Sequence, residues 1–258
     1  MTSLRDKIDS GRPTIGSWIQ LGDEALTEML AAQPFDWLCI DLEHTTISIA
    51  QAGRIIRVAD LAGCPVLVRL SSHDPAQVKR VLDAGATGII APMVNTAAQA
   101  EAIVSAATYP PRGTRGVGLA RAQDYGIGFP DYLRRMQRDL VCIMQVEHIE
   151  GVDNLEAILA VDGVDGFFIG PYDLSASLGH PGEFSHPDVV AAMDRVGTFV
   201  KQPGVLAGVH VVEPEPERLQ AMVDAGYRFI GYASDMLFFA HHMQSVGADI
   251  NRIQGGVA

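Results

Sequence analysis

The sequence predicts an eight-stranded parallel α/β barrel, and three observations carry that prediction. Short apolar runs rich in strand formers recur eight times along the chain. Most are followed by a longer stretch whose apolar residues fall at helical spacing. The length of 258 residues suits a (β/α)8 barrel, which typically occupies about 250 as one unit. One domain over residues 1–258 is therefore expected, with no linker-like or low-complexity stretch to divide it.

The elements follow in order. Ile15–Ile19 reads as the first strand, and Asp23–Ala32, opened by an aspartate, as its helix. Trp37–Asp41 and Ile49–Ala62 form the second pair, the helix preceded by Ser48 and stopped by Gly63. The third is Pro65–Leu70 with Pro75–Ala84, which has proline in its first turn and Gly85 after its end. Gly88–Pro92 leads to Ala97–Ala107, and Val141–Glu147 to Gly151–Ala160. Gly166–Gly170, Val205–Val209 and Phe229–Tyr232 complete the strands, with helices at Pro187–Val200 and Pro216–Ala225. The phrases LDAGATGII, VDGVDGFFI and VDAGYRFI repeat one device, a helix end, a glycine stop and a buried strand. One long connection, Pro110 to Leu140, is rich in Gly, Arg and Tyr; such a loop usually works in function or contains its own helix.

Composition removes several function classes. With 48% hydrophobic and 19% charged residues, the chain has material for one large core and is not mainly disordered. Its 19 basic against 31 acidic side chains give a net charge of -12, the wrong sign for a protein that neutralises phosphates, so no nucleic-acid partner is expected. Cys39, Cys64 and Cys142 sit in apolar runs and read as core thiols in a reducing compartment. No run approaches the roughly 18 apolar residues of a membrane span, and MTSLRDKIDSGRP lacks an apolar signal segment. A cytoplasmic location is expected.

In such a barrel the active site lies where the strands end. Four ends carry chemistry: Asp41-Leu42-Glu43-His44, Val68-Arg69, Gln145-Val146-Glu147 and Gly170-Pro171-Tyr172-Asp173. Glu147 and Asp173, on neighbouring ends, suit a hard divalent cation such as Mg²⁺ or Mn²⁺, with Co²⁺ or Zn²⁺ as alternatives. They could instead cap the helices that follow. Arg69 ends a buried strand and needs an anion, either a structural carboxylate or, preferred here, a substrate carboxylate or developing enolate oxygen. Histidine titrates near neutrality, so His44 is a candidate acid/base, with Asp83 as orienting partner; a purely structural His44 is the alternative. His210, at the end of the seventh strand, is a weaker candidate for substrate contact.

Absences narrow the chemistry further. Lysine occurs only at 7, 79 and 201, none at a strand's C-terminal end, which disfavours Schiff-base catalysis. The loops after strands seven and eight, HVVEPEPE and YASDM, are acidic and lack a phosphate-binding glycine nest. No strand-GxGxxG-helix fingerprint appears, so a nicotinamide cofactor is not indicated.

Taken together, IDLEH at 40–44, VLVRL at 66–70, LDAGATGIIAPMV at 82–94, YPPRGTRGVG at 109–118, QVE at 145–147 and DGFFIGPYDLSASLG at 165–179 resemble the HpcH/HpaI aldolase family. The resemblance implies a TIM barrel of the phosphoenolpyruvate/pyruvate type, assembled as a homohexamer, a trimer of dimers, with the last helix exchanged between subunits. It implies metal-dependent cleavage of a 4-hydroxy-2-oxo acid into pyruvate, or an analogue, and an aldehyde. Carried over by position, Glu147 and Asp173 hold the metal and Glu43 holds water on it. The backbone at Tyr172 and Asp173, beside Gly170, meets the pyruvate carboxylate, and Gln145 faces pyruvate. Arg69 stabilises the enolate oxygen, and His44 with Asp83 moves the proton of the 4-hydroxyl. Arg121 resembles a position that reaches the acceptor group from a neighbouring subunit.

Two departures bear on substrate size. Many members read GPADLS where this chain has Gly-Pro-Tyr172-Asp-Leu-Ser, and GVHVVEP also differs from the expected pattern. Two competing readings stand beside the aldolase. One is another enolate-forming carbon–carbon lyase, acyl-CoA lyase-like or decarboxylating like macrophomate synthase. The other is a barrel kept as a binding or assembly protein.

Overall fold

Strands covered on both faces need side chains that are apolar almost throughout, and this chain supplies eight of them. A computed structural model describes residues 2–255. The strands are β1 (Thr14–Ile19), β2 (Trp37–Asp41), β3 (Val66–Arg69), β4 (Gly88–Ala91), β5 (Val141–Val146), β6 (Gly166–Ile169), β7 (Leu206–Val211) and β8 (Phe229–Ser234). They close in chain order into a TIM barrel whose neighbouring pairs are all parallel, β8 against β1 included. Helices return the chain between strands, which places all strand C-termini on one rim.

Large rings fill the interior. Trp37 stacks on Phe229 at 4.3 Å between centroids, and Phe168 meets Phe229 and Trp18 edge-on. Gly16 makes room for them, since a methyl group there would lie 2.0 Å from the Trp37 ring. Leu4, from the short helix Leu4–Asp9, packs into the same buried cluster, where Val141 and Leu206 mark the N-terminal ends of the strands. Cys39, Cys64 and Cys142 are free and buried, as expected, and burial pushes the Cys64 thiol up to about 11.

Several expectations are corrected. Gly151–Ala160 is two short helices, Ile149–Asp153 and Leu155–Leu159, broken at Asn154, whose side-chain amide donates to the Asn95 carbonyl at 2.8 Å. Helix Leu4–Asp9 is an addition to the expected set, and the helix after strand six and the last helix, expected without bounds, span Pro171–Ser177 and Asp235–Ile253. The long connection contains its own structure, a 3-10 turn at Arg121–Gly126 and a helix at Phe129–Asp139. It joins the end of helix Ala97–Ala107 to the start of β5, so it lies at the strands' N-terminal rim, opposite the mouth. Among the described residues no helix is long and apolar enough to cross a membrane.

Candidate active site

The register of β2 against β3 sets Asp41 beside Arg69. Arg69 Nε donates to Asp41 Oδ1 at 3.0 Å and Nη2 to Oδ2 at 2.6 Å, a bidentate pair. Burial pushes the Asp41 carboxyl up, but the guanidinium, helped by the His44 N–H and the Gln20 amide, offsets it and holds the group below the usual range. From β1, the Trp18 ring lies under the guanidinium, 4.5 Å from its carbon. The anion that Arg69 requires is therefore a structural carboxylate in the first instance. Its Nη1 has no protein partner among the described residues.

Asp41 also shapes the turn after β2. Its Oδ1 accepts the backbone N–H of Glu43 at 3.0 Å and of His44 at 3.2 Å. That turn brings Glu43 back to within 3.5 Å of Arg69 Nε and leaves the His44 side chain 61% exposed, its Nε2 3.6 Å from Glu43 Oε2. Burial raises the Glu43 carboxyl against the pull of Arg69 and His44, and Asp41 and Asp173 add to the rise.

Glu147 follows β5 and is almost fully buried. Its Oε2 accepts the Met93 N–H at 3.0 Å and its Oε1 accepts from the Gln145 side-chain amide. Met93 turns that N–H inward by adopting φ 50°, a left-handed conformation uncommon for a side chain of its size. Gly170 gives the carboxylate its space, because a methyl group there would lie 2.8 Å from Glu147 Cγ and Oε1. Burial, with the Glu43 and Asp173 carboxylates close by, raises Glu147 to about 7.

Asp173 is exposed in the first turn of helix Pro171–Ser177, and its side chain makes no hydrogen bond or ion pair among the described residues. The helix is entered through Gly170 with no side-chain cap, and the helix after Glu147 is capped by His148. Neither Glu147 nor Asp173 is a helix cap. Instead three carboxylates repel one another where two buried acceptors, Glu43 Oε2 and Gln145 Oε1, lack hydrogen-bond donors among the described residues. An all-oxygen donor set with surplus negative charge fits a hard divalent cation.

Four sequence candidates fall differently. Tyr172 is exposed beside Asp173, its ring edge-on to Phe184 at 4.8 Å. His210 Nε2 donates to the Ala233 carbonyl at 3.1 Å, and burial lowers its pKa to about 4, so the ring is neutral with Nδ1 bare. Asp83 does not meet His44 within one chain. It ends the helix Pro75–Asp83, which runs back from the mouth, and its carboxylate takes Arg115 at 2.6 Å. Arg121 pairs with Asp60 and borders a cavity of about 770 Å³ at the strands' N-terminal rim. Asp83 and Arg121 thus stand at the opposite end of the barrel from His44.

Residues 14–242 match the family model described as HpcH/HpaI aldolase/citrate lyase. The chain belongs to the HpcH/HpaI family. It is 37% identical over 256 residues to a hydroxypyruvate/pyruvate aldolase of Pseudomonas aeruginosa, covering 98% of this chain and 93% of that protein. It is 36% identical to a 4-hydroxy-2-oxo-heptane-1,7-dioate aldolase of Shigella sonnei, covering 99% and 98% of the two. The structure of an HpcH/HpaI aldolase/citrate lyase family protein from Burkholderia cenocepacia superposes with a TM-score of 0.89 at 36% identity, over 97% of this chain and all of that one.

Within this HpcH/HpaI barrel, sequence reasoning passed over Asp41, Trp18 and Met93. Asp41 stood in view as a strand end, but only the β2–β3 register makes it the partner of Arg69. A carboxylate closing an apolar strand next to a strand that closes in arginine was the available signal. Met93 acts through its backbone, so its residue type carried none.

Proposed function

We propose that this HpcH/HpaI protein is a divalent-metal-dependent aldolase, a carbon–carbon lyase that reversibly cleaves an unphosphorylated 4-hydroxy-2-oxo acid to pyruvate, or a close analogue, and an aldehyde. The observation that carries this reading is the cluster of Glu43, Glu147 and Asp173 facing Arg69 at the barrel mouth, with Glu147 raised to about 7. Glu147 and Asp173 would hold the cation, Mg²⁺ or Mn²⁺ before Co²⁺ or Zn²⁺, with Glu43 beside it. Once bound, the cation would supply Lewis acidity to the 2-oxo acid's oxygens.

The chain's own groups divide the remaining work. Breaking C3–C4 leaves an electron pair that spreads onto the 2-oxo oxygen, and the free Nη1 of Arg69 offers that charge a hydrogen bond. Asp41 and Trp18 hold the guanidinium in place, so it needs no reorganisation when charge develops. His44, exposed at the mouth and next to Glu43, accepts the 4-hydroxyl proton as C4 becomes the aldehyde. The N–H groups of Tyr172 and Asp173, in a helix's first turn, are available to the substrate carboxylate, and Gln145 lines the floor.

Assembly belongs to the same proposal. Helix Asp235–Ile253 buries only Asp235 and exposes Met236, Phe239, Met243, Ile250 and Ile253, which supports a homo-oligomer, read here as a hexamer with that helix exchanged. Asp83 and Arg121 would then serve catalysis only from a neighbouring subunit. The proposed setting is cytoplasmic, with no nucleic-acid or membrane partner.

The test is a coupled pyruvate assay on chelated protein with a panel of 4-hydroxy-2-oxo acids, before and after adding Mg²⁺, Mn²⁺, Co²⁺ or Zn²⁺. Pyruvate release abolished by EDTA and restored by metal is expected. Silence across the panel with metal bound would shift the assignment to another enolate-forming lyase, and silence without metal binding would restore the binding-protein reading. In the same assay Asp173→Ala should lose metal and activity together while the metal-free melting temperature stays within a degree or two. A large drop in that temperature would mark Asp173 as structural.

A further inference from the structure

We propose that His180, His186 and Asp188 form a second metal site, selective for zinc-class cations, on the loop that backs the wall of the mouth. The proposal is independent of the aldolase reading. The three residues bring candidate ligand atoms within 4.8 Å of one another. His180 Nε2 and His186 Nδ1 each lie 3.8 Å from Asp188 Oδ2. A tetrahedral zinc ion with bonds of about 2.0–2.1 Å sets its ligand atoms roughly 3.4 Å apart, so each imidazole must close on the carboxylate by a few tenths of an ångström, and the two imidazole nitrogens, within 4.8 Å of each other, must be brought together by a ring rotation.

The donor set separates this site from the mouth. Two imidazoles and one carboxylate suit Zn²⁺, Co²⁺, Ni²⁺ or Cu²⁺, whereas the all-oxygen mouth suits harder ions. The two rings stack at 3.3 Å with planes 18° apart, and a metal must lie in the plane of each imidazole it binds. Capture therefore opens the stack by turning one ring. Both side chains are partly exposed, and among the described residues the one side-chain hydrogen bond at stake is the long 3.3 Å acceptance by His186 Nδ1 of the Asp188 N–H. Solvent completes the coordination.

The backbone that carries the ligands is already fastened. The N–H of His180 donates to the Ser175 carbonyl and that of Gly182 to Ser175 Oγ, each at 2.9 Å, and the His186 N–H donates to the Glu183 carbonyl, also at 2.9 Å. Asp188 sits in the first turn of the 14-residue helix Pro187–Val200, so two of the three ligands flank a fixed helix start. Phe184, between the two histidines in sequence, packs edge-on against Tyr172. An ion held here ties the loop to the helix and fixes the aromatic pair next to Asp173.

The test uses untagged, chelator-stripped full-length protein, with Zn²⁺ uptake read by equilibrium dialysis and Co²⁺ binding read by visible absorption. The double substitution His180→Ala with His186→Ala should remove one zinc equivalent per chain and the intense tetrahedral Co²⁺ bands, with unchanged circular dichroism. Glu147→Gln with Asp173→Ala should keep that equivalent and those bands. Asp188→Asn should weaken zinc uptake at the site at least tenfold. Equal zinc equivalents and equal Co²⁺ spectra in wild type and the histidine variant would overturn the proposal, as would loss of both in the Glu147/Asp173 variant alone.

Discussion

Replacing Arg69 by alanine is expected to cut turnover at saturating metal by about 10²–10³, the usual effect of removing a donor aimed at developing negative charge. The same substitution should destabilise the protein by about 3–5 kcal/mol, because it leaves Asp41 buried without its cation. The two effects separate in a second variant, Arg69→Ala with Asp41→Asn, in which the orphaned carboxylate is neutralised. Chemical denaturation should show most of the stability restored, while the pyruvate assay should stay near the single variant's rate. Turnover close to wild type in either folded variant would remove Arg69 from the chemistry and leave it a structural ion pair.

Glu147→Gln should have opposite effects on function and stability. Metal binding and pyruvate release should fall by orders of magnitude, since the substitution removes a ligand charge. In metal-free protein it should raise stability, and the gain should depend on pH. Below about pH 4.5 the wild-type carboxyl is protonated in both folded and unfolded chains and costs nothing. Between there and about 7 the unfolded chain ionises first, folding takes up a proton, and stability falls as pH rises. Above about 7 the full penalty is present, on the order of 3 kcal/mol from the shift between those two values. Urea titrations of chelated protein should therefore show a small advantage for Glu147→Gln at pH 5 and a large one at pH 8. An advantage equal at the two pH values would mean that Glu147 does not hold its proton in the folded, metal-free state.

Barrel architecture was legible because burial on both strand faces leaves contiguous apolar runs, and Trp37–Asp41 falls where its pattern puts it. Helices Ala97–Ala107, Pro187–Val200 and Pro216–Ala225 were equally plain, with a cap or first-turn proline at their starts and apolar spacing within. Asp235–Ile253 was not, since its apolar residues do not face its own chain's core and so trace no inward stripe. Glu43, His44, Arg69, Glu147 and Asp173 could be singled out as one cluster because polar groups ending apolar strands stand out, and the structure gathers them at one rim. Asp83, expected beside His44, does not reach it within one chain, because it ends the helix that leaves the mouth after β3. Nine residues of helix carry the chain about 13 Å back from the mouth, and that polarity was itself readable.

Met93 grips Glu147 through a main-chain N–H while its side chain, 41% exposed, stands at the rim. The grip therefore needs the backbone conformation rather than the methionine side chain, and glycine, which adopts such a φ without strain, would keep it. The carboxylate's anchorage and the mouth's outline are inherited through different atoms of one residue. A substitution at position 93 changes the bulk at the rim, while the N–H keeps its hold only in residues that tolerate the left-handed backbone, glycine or asparagine before any β-branched side chain.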